Sequence, residues 1–207
     1  MFKSIEEKNV EAEITEKKSK FICNIFYIET VEEAENLIKK LNKKYFDARH
    51  NCYAFSVVTE NGIVNRFSDD GEPSGTAGGP MLNILNSNHI SNVLVVVTRY
   101  FGGILLGTGG LVKAYSRALT ECLQNIELIQ KDLGKEVEIV VSYADLEKLK
   151  YYLKQNEIKI SQIMYNENVN VKIDITEEKT KQMLEYKENL NFKIVDAKIL
   201  KTKFITI

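Results

Sequence analysis

The stretch Val96-Val-Thr-Arg-Tyr-Phe-Gly-Gly-Ile-Leu-Leu-Gly-Thr-Gly-Gly-Leu-Val-Lys113 decides how the first part of the chain folds. The continuously apolar residues from Val93 to Thr98 predict a strand that is covered on both faces. The glycine-rich segment Gly107-Thr-Gly-Gly110 leads into a helix predicted from about Leu111 to Gln124. The free N–H groups and the dipole at such a helix start favour binding of an anion.

This stretch lies inside a long segment that has no carboxylate side chains. From Pro73 to Thr120, 48 residues contain neither Asp nor Glu, although 29 of the 207 residues are acidic. Residues 71–110 also hold nine of the eleven glycines. A glycine-rich backbone with only positive charges suits phosphate binding. A buried core rich in valine, leucine and glycine would exclude carboxylates as well, so that alternative stays open.

The predicted anion site combines cations, backbone N–H groups and aromatic rings. Lys113 and Arg117 lie four residues apart on one helical face, so both can reach the same anion. The loop is not a Walker A loop, because Gly107 is not followed four to five residues later by Gly-Lys-Ser/Thr. It is not a dinucleotide fingerprint, because Val112 occupies the third glycine position. The alternative is a tight turn with two solvated cations. The residues predicted to bind an anion or nucleic acid are Ser74, Gly75, Thr76, Arg99, Tyr100, Gly102, Gly103, Gly107, Thr108, Gly109, Gly110, Lys113 and Arg117.

Three acidic residues, Asp69, Asp70 and Glu72, stand directly before the acid-free segment. They can bind Mg²⁺ through carboxylate oxygens, form a solvated acidic turn, or pair with Arg99. The sequence leaves these three alternatives open. Together with His50, the three acids form the set of polar side chains that we expect to line a candidate cleft.

His50 and Cys52 lie two residues apart at the start of a predicted strand, so both side chains point to one face. This is the one place where a His–Cys nucleophile can be proposed. A half-buried histidine beside a core cysteine is the favoured interpretation. No hydrolase elbow surrounds Ser74 or Ser116, so a hydrolase is weakly supported. We therefore assign no catalytic residue, no metal ligand and no cofactor.

The composition predicts a globular cytoplasmic protein. The net charge of −1 excludes a global basic field for nonspecific nucleic-acid binding. The three cysteines form no C-x-x-C motif, which argues against a disulfide framework and favours a reducing compartment. The N-terminus has no apolar signal region, and no apolar run approaches the roughly 18–20 residues that span a bilayer.

The order of the predicted elements divides the chain in two. The first part is expected to contain an antiparallel sheet, with strands at 10–15, 21–28, 52–58 and 63–67. A Thr30/Glu33 capping box opens a helix between them, and Asn61-Gly62 is a hairpin signal. Gly134 is interpreted as a linker. The order β-α-β-β-α-β after Gly134 is the ferredoxin-like arrangement, so we expect an α+β protein with domains 1–132 and 133–207.

Several motifs resemble the IMPACT family. They are Asp69-Asp-Gly-Glu-Pro-Ser-Gly-Thr-Ala-Gly, Val96-Val-Thr-Arg-Tyr-Phe-Gly-Gly, Leu106-Gly-Thr-Gly-Gly-Leu-Val-Lys-Ala-Tyr-Ser and His50-Asn-Cys-Tyr-Ala. The resemblance covers residues 16–126, and the part after Gly134 resembles the C-terminal domain of the bacterial, YigZ-type members. One departure is Gly79, where many relatives have a basic residue, and this removes one potential phosphate contact.

The resemblance implies a first domain like the second domain of ribosomal protein S5. It implies a second domain like the last domain of elongation factor G. The family is regarded as one of translation regulators. Its eukaryotic members have an additional N-terminal domain that contacts the partner of a stress kinase. Because this chain starts directly at the IMPACT domain, we expect that partnership not to apply.

Three hypotheses of function follow. The first is a noncatalytic translation regulator that binds RNA or the ribosome, with Tyr100 or Phe101 stacking on a base, and with neither membrane binding nor sequence-specific DNA binding. The second is an enzyme acting on a phosphorylated small molecule or nucleotide, with Mg²⁺ held by Asp69, Asp70 or Glu72. The third is protein–protein interaction through a sheet edge.

Overall fold

The structure is a computed structural model that describes residues 1–6, 9–59, 61–185 and 187–207. The chain forms two compact units, one of Phe2–Gln130 and one of Lys131–Ile207 together with Met1. Among the described residues, no helix is both long enough and apolar enough to cross a membrane.

The first unit is built on one antiparallel sheet. The strands of the unit are β1 Phe2–Ile5, β2 Asn9–Glu16, β3 Ser19–Tyr27, β4 His50–Thr59, β5 Gly62–Ser68 and β6 Val93–Tyr100, and all of them except β1 belong to this sheet. Its helices are α1 Val31–Lys44, α2 Gly78–Ser87 and α3 Gly107–Gln124. The sheet has the strand order β2-β3-β6-β4-β5, and β6 therefore lies in its centre. The central position explains why β6 is apolar on both faces.

The two faces of this sheet are covered by different helices. Alternate residues of β3 point to opposite faces, as strand geometry requires. Phe21 and Cys23 pack in the core that contains residues of α2 and α3. Ile22 and Phe26 pack instead in the core that contains residues of α1. The unit thus has three layers, with the sheet between α1 and the α2/α3 pair.

Two local predictions for this unit are confirmed. The Glu33 backbone N–H donates to Thr30 Oγ1 at 3.1 Å, and the Thr30 N–H donates to Glu33 Oε2 at 3.4 Å, which completes the capping box of α1. The β4–β5 hairpin is present, with Thr59 opposite Gly62 in register. Strand β1 was not predicted, and α3 begins four residues earlier than expected, because Gly107–Gly110 form its first turn.

The second unit follows the predicted β-α-β-β-α-β order. Its elements are β7 Leu128–Val141, α4 Leu146–Gln155, β8 Lys159–Tyr165, β9 Val169–Thr176, α5 Glu177–Glu185, a short 3₁₀ turn Lys187–Asn189, and β10 Ile194–Thr206. The strand order β10-β7-β9-β8, antiparallel throughout, is the ferredoxin-like sheet. The predicted α+β class with a ferredoxin-like second part is therefore confirmed.

The prediction of a linker at Gly134 is wrong. Gly134 lies inside β7, opposite Thr176 on one side and Lys203 on the other. A Cβ atom built at Gly134 would lie 2.7 Å from the carbonyl oxygen of Ile175. The glycine is therefore explained by the close approach of a neighbouring strand, a known use of glycine inside sheets.

Candidate anion-binding site

The loop between β5 and α2 is organised around the carboxylate of Asp69. Asp69 Oδ1 accepts hydrogen bonds from the N–H groups of Ala77 at 2.9 Å and Gly78 at 2.8 Å. Asp69 Oδ2 accepts one from the Gly75 N–H at 2.8 Å. This carboxylate therefore satisfies the free donors at the start of α2 and fixes the loop from the inside.

Glu72 points from the same loop into the protein, where its side chain is 3% exposed. Its Oε1 lies 2.6 Å from Nη1 of Arg99 and accepts a hydrogen bond from the Tyr115 hydroxyl at 2.9 Å. The sequence allowed the acidic residues to bind Mg²⁺, to form a solvated turn or to pair with Arg99, and Glu72 pairs with Arg99. The charge of Glu72 is compensated by a guanidinium and a phenol, as a buried carboxylate requires.

Arg99 is 5% exposed, so its guanidinium contacts groups inside the protein and not solvent. Besides Glu72, its Nη2 lies 3.5 Å from Ser19 Oγ, and its Cζ lies 5.6 Å from the ring centroid of Phe101. We predicted Arg99 among the anion contacts. Its burial and its pairing with Glu72 remove it from the set of side chains that can reach an external phosphate.

Asp70 and His50 complete the interior of the loop. The backbone N–H of Asn51 donates to Asp70 Oδ2 at 2.6 Å. His50 Nδ1 lies 2.7 Å from the carbonyl oxygen of Asp70, and since a carbonyl only accepts, this nitrogen has the hydrogen. His50 Nε2 lies 3.9 Å from Glu72 Oε1. The polar residues of the candidate cleft are therefore brought together, but as a network of internal contacts.

Cys52 lies at the inner end of this network. Its Sγ is 2.9 Å from the carbonyl oxygen of Asp69 and 3.3 Å from Oη of Tyr115, and the residue is fully buried. Burial raises the pKa of the Cys52 thiol to about 12. The thiol is therefore protonated at neutral pH, and this argues against a thiolate nucleophile. The arrangement matches a half-buried histidine beside a core cysteine.

The carboxylates proposed as Mg²⁺ ligands are all engaged within the protein. Asp69 accepts from three N–H groups, Asp70 from one, and Glu72 from Arg99 and Tyr115. In the part of the chain that the structure describes, no group of three or more His, Cys, Asp or Glu side chains is arranged to hold a metal ion. The hypothesis of a Mg²⁺-dependent enzyme therefore loses its expected ligands.

The loop after β6 packs directly on the turn between β2 and β3. The Gly102 N–H donates to Ser19 Oγ at 3.2 Å, and a Cβ atom at Gly102 would overlap the carbonyl group of Lys18. Lys17 and Lys18 form the exposed tip of this turn, both with positive φ. The sequence predicted no role for these lysines, because no local signal relates them to a loop so distant along the chain.

Helix α3 begins at this loop with an unusually open first turn. Gly107, Thr108 and Gly109 are exposed, and the preceding residue Leu106 makes no capping hydrogen bond with its side chain. Lys113 is exposed one turn further along, and among the described residues it has no carboxylate oxygen within 4 Å. These N–H groups and this ammonium group are placed to bind an anion.

Two further residues of the predicted set are engaged with other groups of the protein. Arg117 Nε lies 2.6 Å from Glu121 Oε1, and its Nη1 lies 3.5 Å from Glu16 Oε2. Thr76 is buried and its hydroxyl donates to the carbonyl oxygen of Pro73 at 2.6 Å. Arg117 is thus neutralised by two acids, and Thr76 faces inward.

The two aromatic candidates differ in their availability. The Tyr100 hydroxyl donates to Asp47 Oδ1 at 2.9 Å, and its ring packs against the core on the α1 face. Phe101 is 42% exposed. Phe101 is therefore the ring that can stack on a base, while Gly103 and Ser74 remain exposed at the rims of their loops.

Comparison with known proteins agrees with these motifs. The protein-family model described as "Impact N-terminal domain" matches residues 17–123 of the chain. A second family model, described as "Domain of unknown function (DUF1949)", matches residues 139–183. The chain is 38% identical over 180 residues to the IMPACT family member YvyE of Bacillus subtilis (strain 168), covering 87% of this chain and 82% of that protein. It is 39% identical over 145 residues to the IMPACT family member YigZ of Escherichia coli (strain K12), covering 70% and 71%.

A solved structure described as "Crystal structure of an hypothetical protein" is 30% identical, with a TM-score of 0.62 and coverage of 93% of this chain and 95% of that one. The motifs around the buried Glu72–Arg99 pair and the open start of α3 lie within the matched first segment. The similarity to YvyE extends over most of both chains, so it includes both units. The chain belongs to the IMPACT family.

Proposed function

We propose that this protein is a noncatalytic, cytoplasmic regulator of translation that binds RNA or the ribosome. The proposed contact is the loop–turn surface, defined by Lys17, Lys18, Phe101, Gly103, Gly107–Gly110 and Lys113. The observation that supports it most directly is the packing of Gly102 on Lys18, which joins two exposed lysines to the loop that leads into α3.

The charge of the loop–turn surface favours a polyanion. Its three lysines are exposed, the Asp69 carboxylate accepts hydrogen bonds from three backbone N–H groups, and the Glu72 carboxylate is paired with Arg99. Because the net charge of the whole chain is −1, the protein as a whole does not attract a polyanion. Binding of a polyanion is therefore expected to depend on this local cationic surface.

The backbone N–H groups and the Phe101 ring of the surface are suited to the phosphates and the bases of RNA. Backbone N–H groups at the start of α3 can donate to phosphate oxygens without the strict geometry of a side chain. The exposed ring of Phe101 can stack on an unpaired base, which is how single-stranded RNA is commonly bound. Membership of the IMPACT family supports a role in translation, because the family is regarded as one of translation regulators.

Cosedimentation with ribosomes and separated subunits across a salt series tests this proposal. Wild-type binding is expected to weaken steeply as salt rises, and Lys113→Glu or Lys18→Glu is expected to weaken it about tenfold and to lower the salt slope by about one unit per removed cation. Lys39→Glu is the matched control, because Lys39 is exposed on α1 and outside the surface. The proposal is overturned if the wild type does not bind at low salt, or if the loop–turn variants bind as the control does.

A further inference from the structure

The loop between β6 and α3 exposes large apolar side chains. Phe101 is 42% exposed, Ile104 42% and Leu105 83%, and together they form what we call the apolar tip. A single exposed leucine is ordinary on a protein surface, but three large apolar side chains within five residues form a patch that indicates a partner. The proposed contact with RNA uses only Phe101, and Ile104 and Leu105 have no role in it.

The loop that carries the apolar tip is held by contacts near both of its ends. Near its start, Gly102 packs so closely on the carbonyl group of Lys18 that a Cβ atom would overlap it. At its end, Leu106 packs against the core that contains residues of α2 and α3. Ile104 and Leu105 lie between these two contacts and remain exposed. A tip held in this way can enter a partner with little loss of conformational entropy.

Cations flank the apolar tip on two sides. Lys17 and Lys18 form the turn that contacts the start of the loop, and Lys113 lies in α3, which follows its end. All three are exposed, and among the described residues none has a carboxylate oxygen within 4 Å of its ammonium group. Glu16, the acid next to Lys17 in sequence, pairs with Arg117. The surroundings of the tip therefore suit a partner with an apolar element between two lines of negative charge.

We infer that the apolar tip is a wedge that enters an RNA helix at an unpaired nucleotide. In a helix the stacked bases are the apolar element, and a phosphate backbone runs on each side of them. Ile104 and Leu105 insert between bases, Phe101 stacks on the unpaired base, and the lysines contact the two backbones. An unpaired nucleotide lowers the cost of this unstacking, because its base pair is already missing. The inference rests on the proposed function and names the class of RNA.

An anionic membrane is another partner that combines apolar groups with negative charge. Proteins that bind a membrane surface without a lipid anchor commonly bury the whole apolar face of an amphipathic helix. The apolar tip offers only three side chains, which suits the space between two bases better than a bilayer. The observations therefore favour helical RNA, and vesicles enter the test as the alternative.

Fluorescence anisotropy with three labelled RNAs tests the inference on the wild-type protein. All have the same number of nucleotides: a hairpin with one bulged nucleotide in its stem, a hairpin with a fully paired stem, and an unstructured strand. The bulged hairpin is expected to bind at least about tenfold more tightly than the paired hairpin, because less stacking is lost. A 2-aminopurine base beside the bulge is expected to brighten on binding as it unstacks. Equal affinity for the two hairpins, or tightest binding of the unstructured strand, overturns the inference.

Leu105→Ala is the variant that tests the wedge itself. Because Leu105 is 83% exposed, its truncation is expected to leave the melting temperature unchanged. Affinity for the bulged hairpin is expected to fall about tenfold, since apolar burial between bases is lost, while the salt slope stays that of the wild type. Ile63→Ala removes an exposed side chain of β5 and is the control. Unchanged affinity for the bulged hairpin in Leu105→Ala contradicts the inference.

Ribosome cosedimentation separates a failure of this inference from a failure of the proposed function. If Leu105→Ala binds the bulged hairpin as the wild type does, while Lys113→Glu loses ribosome binding, the wedge is wrong and the proposed function stands. If the wild type binds neither the RNAs nor ribosomes, both are wrong. Wild-type binding to phosphatidylglycerol vesicles that Leu105→Ala abolishes, without a preference for the bulged hairpin, assigns the tip to a lipid surface and overturns the inference.

Discussion

Glu72 Oε1 lies 2.6 Å from Nη1 of Arg99, and both side chains are almost entirely buried. Glu72 belongs to the loop between β5 and α2, and Arg99 to the central strand β6. Tyr115 of α3 donates to the same carboxylate oxygen. One carboxylate therefore links a loop, the sheet and a helix, and so holds the framework from which the glycine-rich loop extends.

Removing one partner of this pair should be strongly destabilising. Glu72→Ala leaves the Arg99 guanidinium buried without its counterion, so we expect a loss of about 3–5 kcal/mol in the free energy of unfolding. Tyr115→Phe removes one hydrogen bond to a charged group and should cost about 2 kcal/mol. Urea unfolding followed by circular dichroism measures both.

The control replaces both charges together. Glu72→Met combined with Arg99→Met leaves no buried charge, so the double variant should be more stable than Glu72→Ala alone. A cost below about 1 kcal/mol for Glu72→Ala would show that the pair does not hold the loop in solution.

The hydrogen bonds of Asp69 lead to a separate prediction about the loop between β5 and α2. Asp69→Ala deprives the N–H groups of Gly75, Ala77 and Gly78 of their acceptor, so their hydrogen exchange should accelerate. The free energy of unfolding should fall by about 2 kcal/mol, at the upper end for loss of a helix cap. Asp47→Ala removes an exposed acceptor of Tyr100 and is the control, with an expected change below about 1 kcal/mol. Unchanged exchange at Gly75 would contradict the prediction.

The fold was largely predictable because its signals are local. The alternation in β2 and β3, the Thr30/Glu33 capping box and the ferredoxin-like order of the second unit each depend on residues close in sequence. Gly134 was misinterpreted for the same reason. A glycine in a linker and a glycine under a neighbouring strand look alike until the position of Ile175 is known.

The site was less predictable because its contacts are distant in sequence. Whether Glu72 binds a metal, water or Arg99 depends on where β6 passes the loop, and the sequence left that open. The contact of Gly102 with Lys18 likewise joins residues that only the β3–β6 pairing brings together. Arg99, Tyr100 and Arg117 are candidate anion contacts by residue type, but each has a partner within the protein.

The raised pKa of the Cys52 thiol predicts how the stability of the protein changes at alkaline pH. Burial raises its pKa to about 12 in the folded protein, above the value of about 9 expected when unfolded. The stabilisation from the protonated thiol is therefore complete below pH 9 and is lost as the pH rises to 12. Burial raises the pKa of Tyr115 as well, so that residue acts in the same direction.

Urea unfolding at pH 8, 10 and 11 measures this dependence. The free energy of unfolding should fall with pH, and it should fall less steeply in Cys52→Ala than in the wild type. Native protein at pH 8 should also react slowly with a thiol reagent, since all three cysteines are buried, and rapidly once unfolded. Equal pH dependence in both proteins would contradict the raised pKa.

Two glycines of the loop–turn region provide a matched pair for the last prediction. A Cβ atom at Gly102 would overlap the Lys18 carbonyl, whereas one at Gly109 would meet no atom within 4 Å. Gly102→Ala must therefore push the loop away from the β2–β3 turn, with an expected loss of about 2–3 kcal/mol, comparable to overpacking a core. Gly109→Ala lies in the first turn of α3 and should be neutral or stabilising by up to about 1 kcal/mol.

The same pair separates stability from binding. If the loop–turn surface requires Lys17 and Lys18 beside the loop, Gly102→Ala should weaken ribosome binding even at temperatures where the variant is fully folded. The three lysines would still be present, so the loss would come from their altered arrangement and not from a change in charge. Ribosome binding that survives unchanged in folded Gly102→Ala would contradict the requirement that Lys17 and Lys18 lie beside the loop.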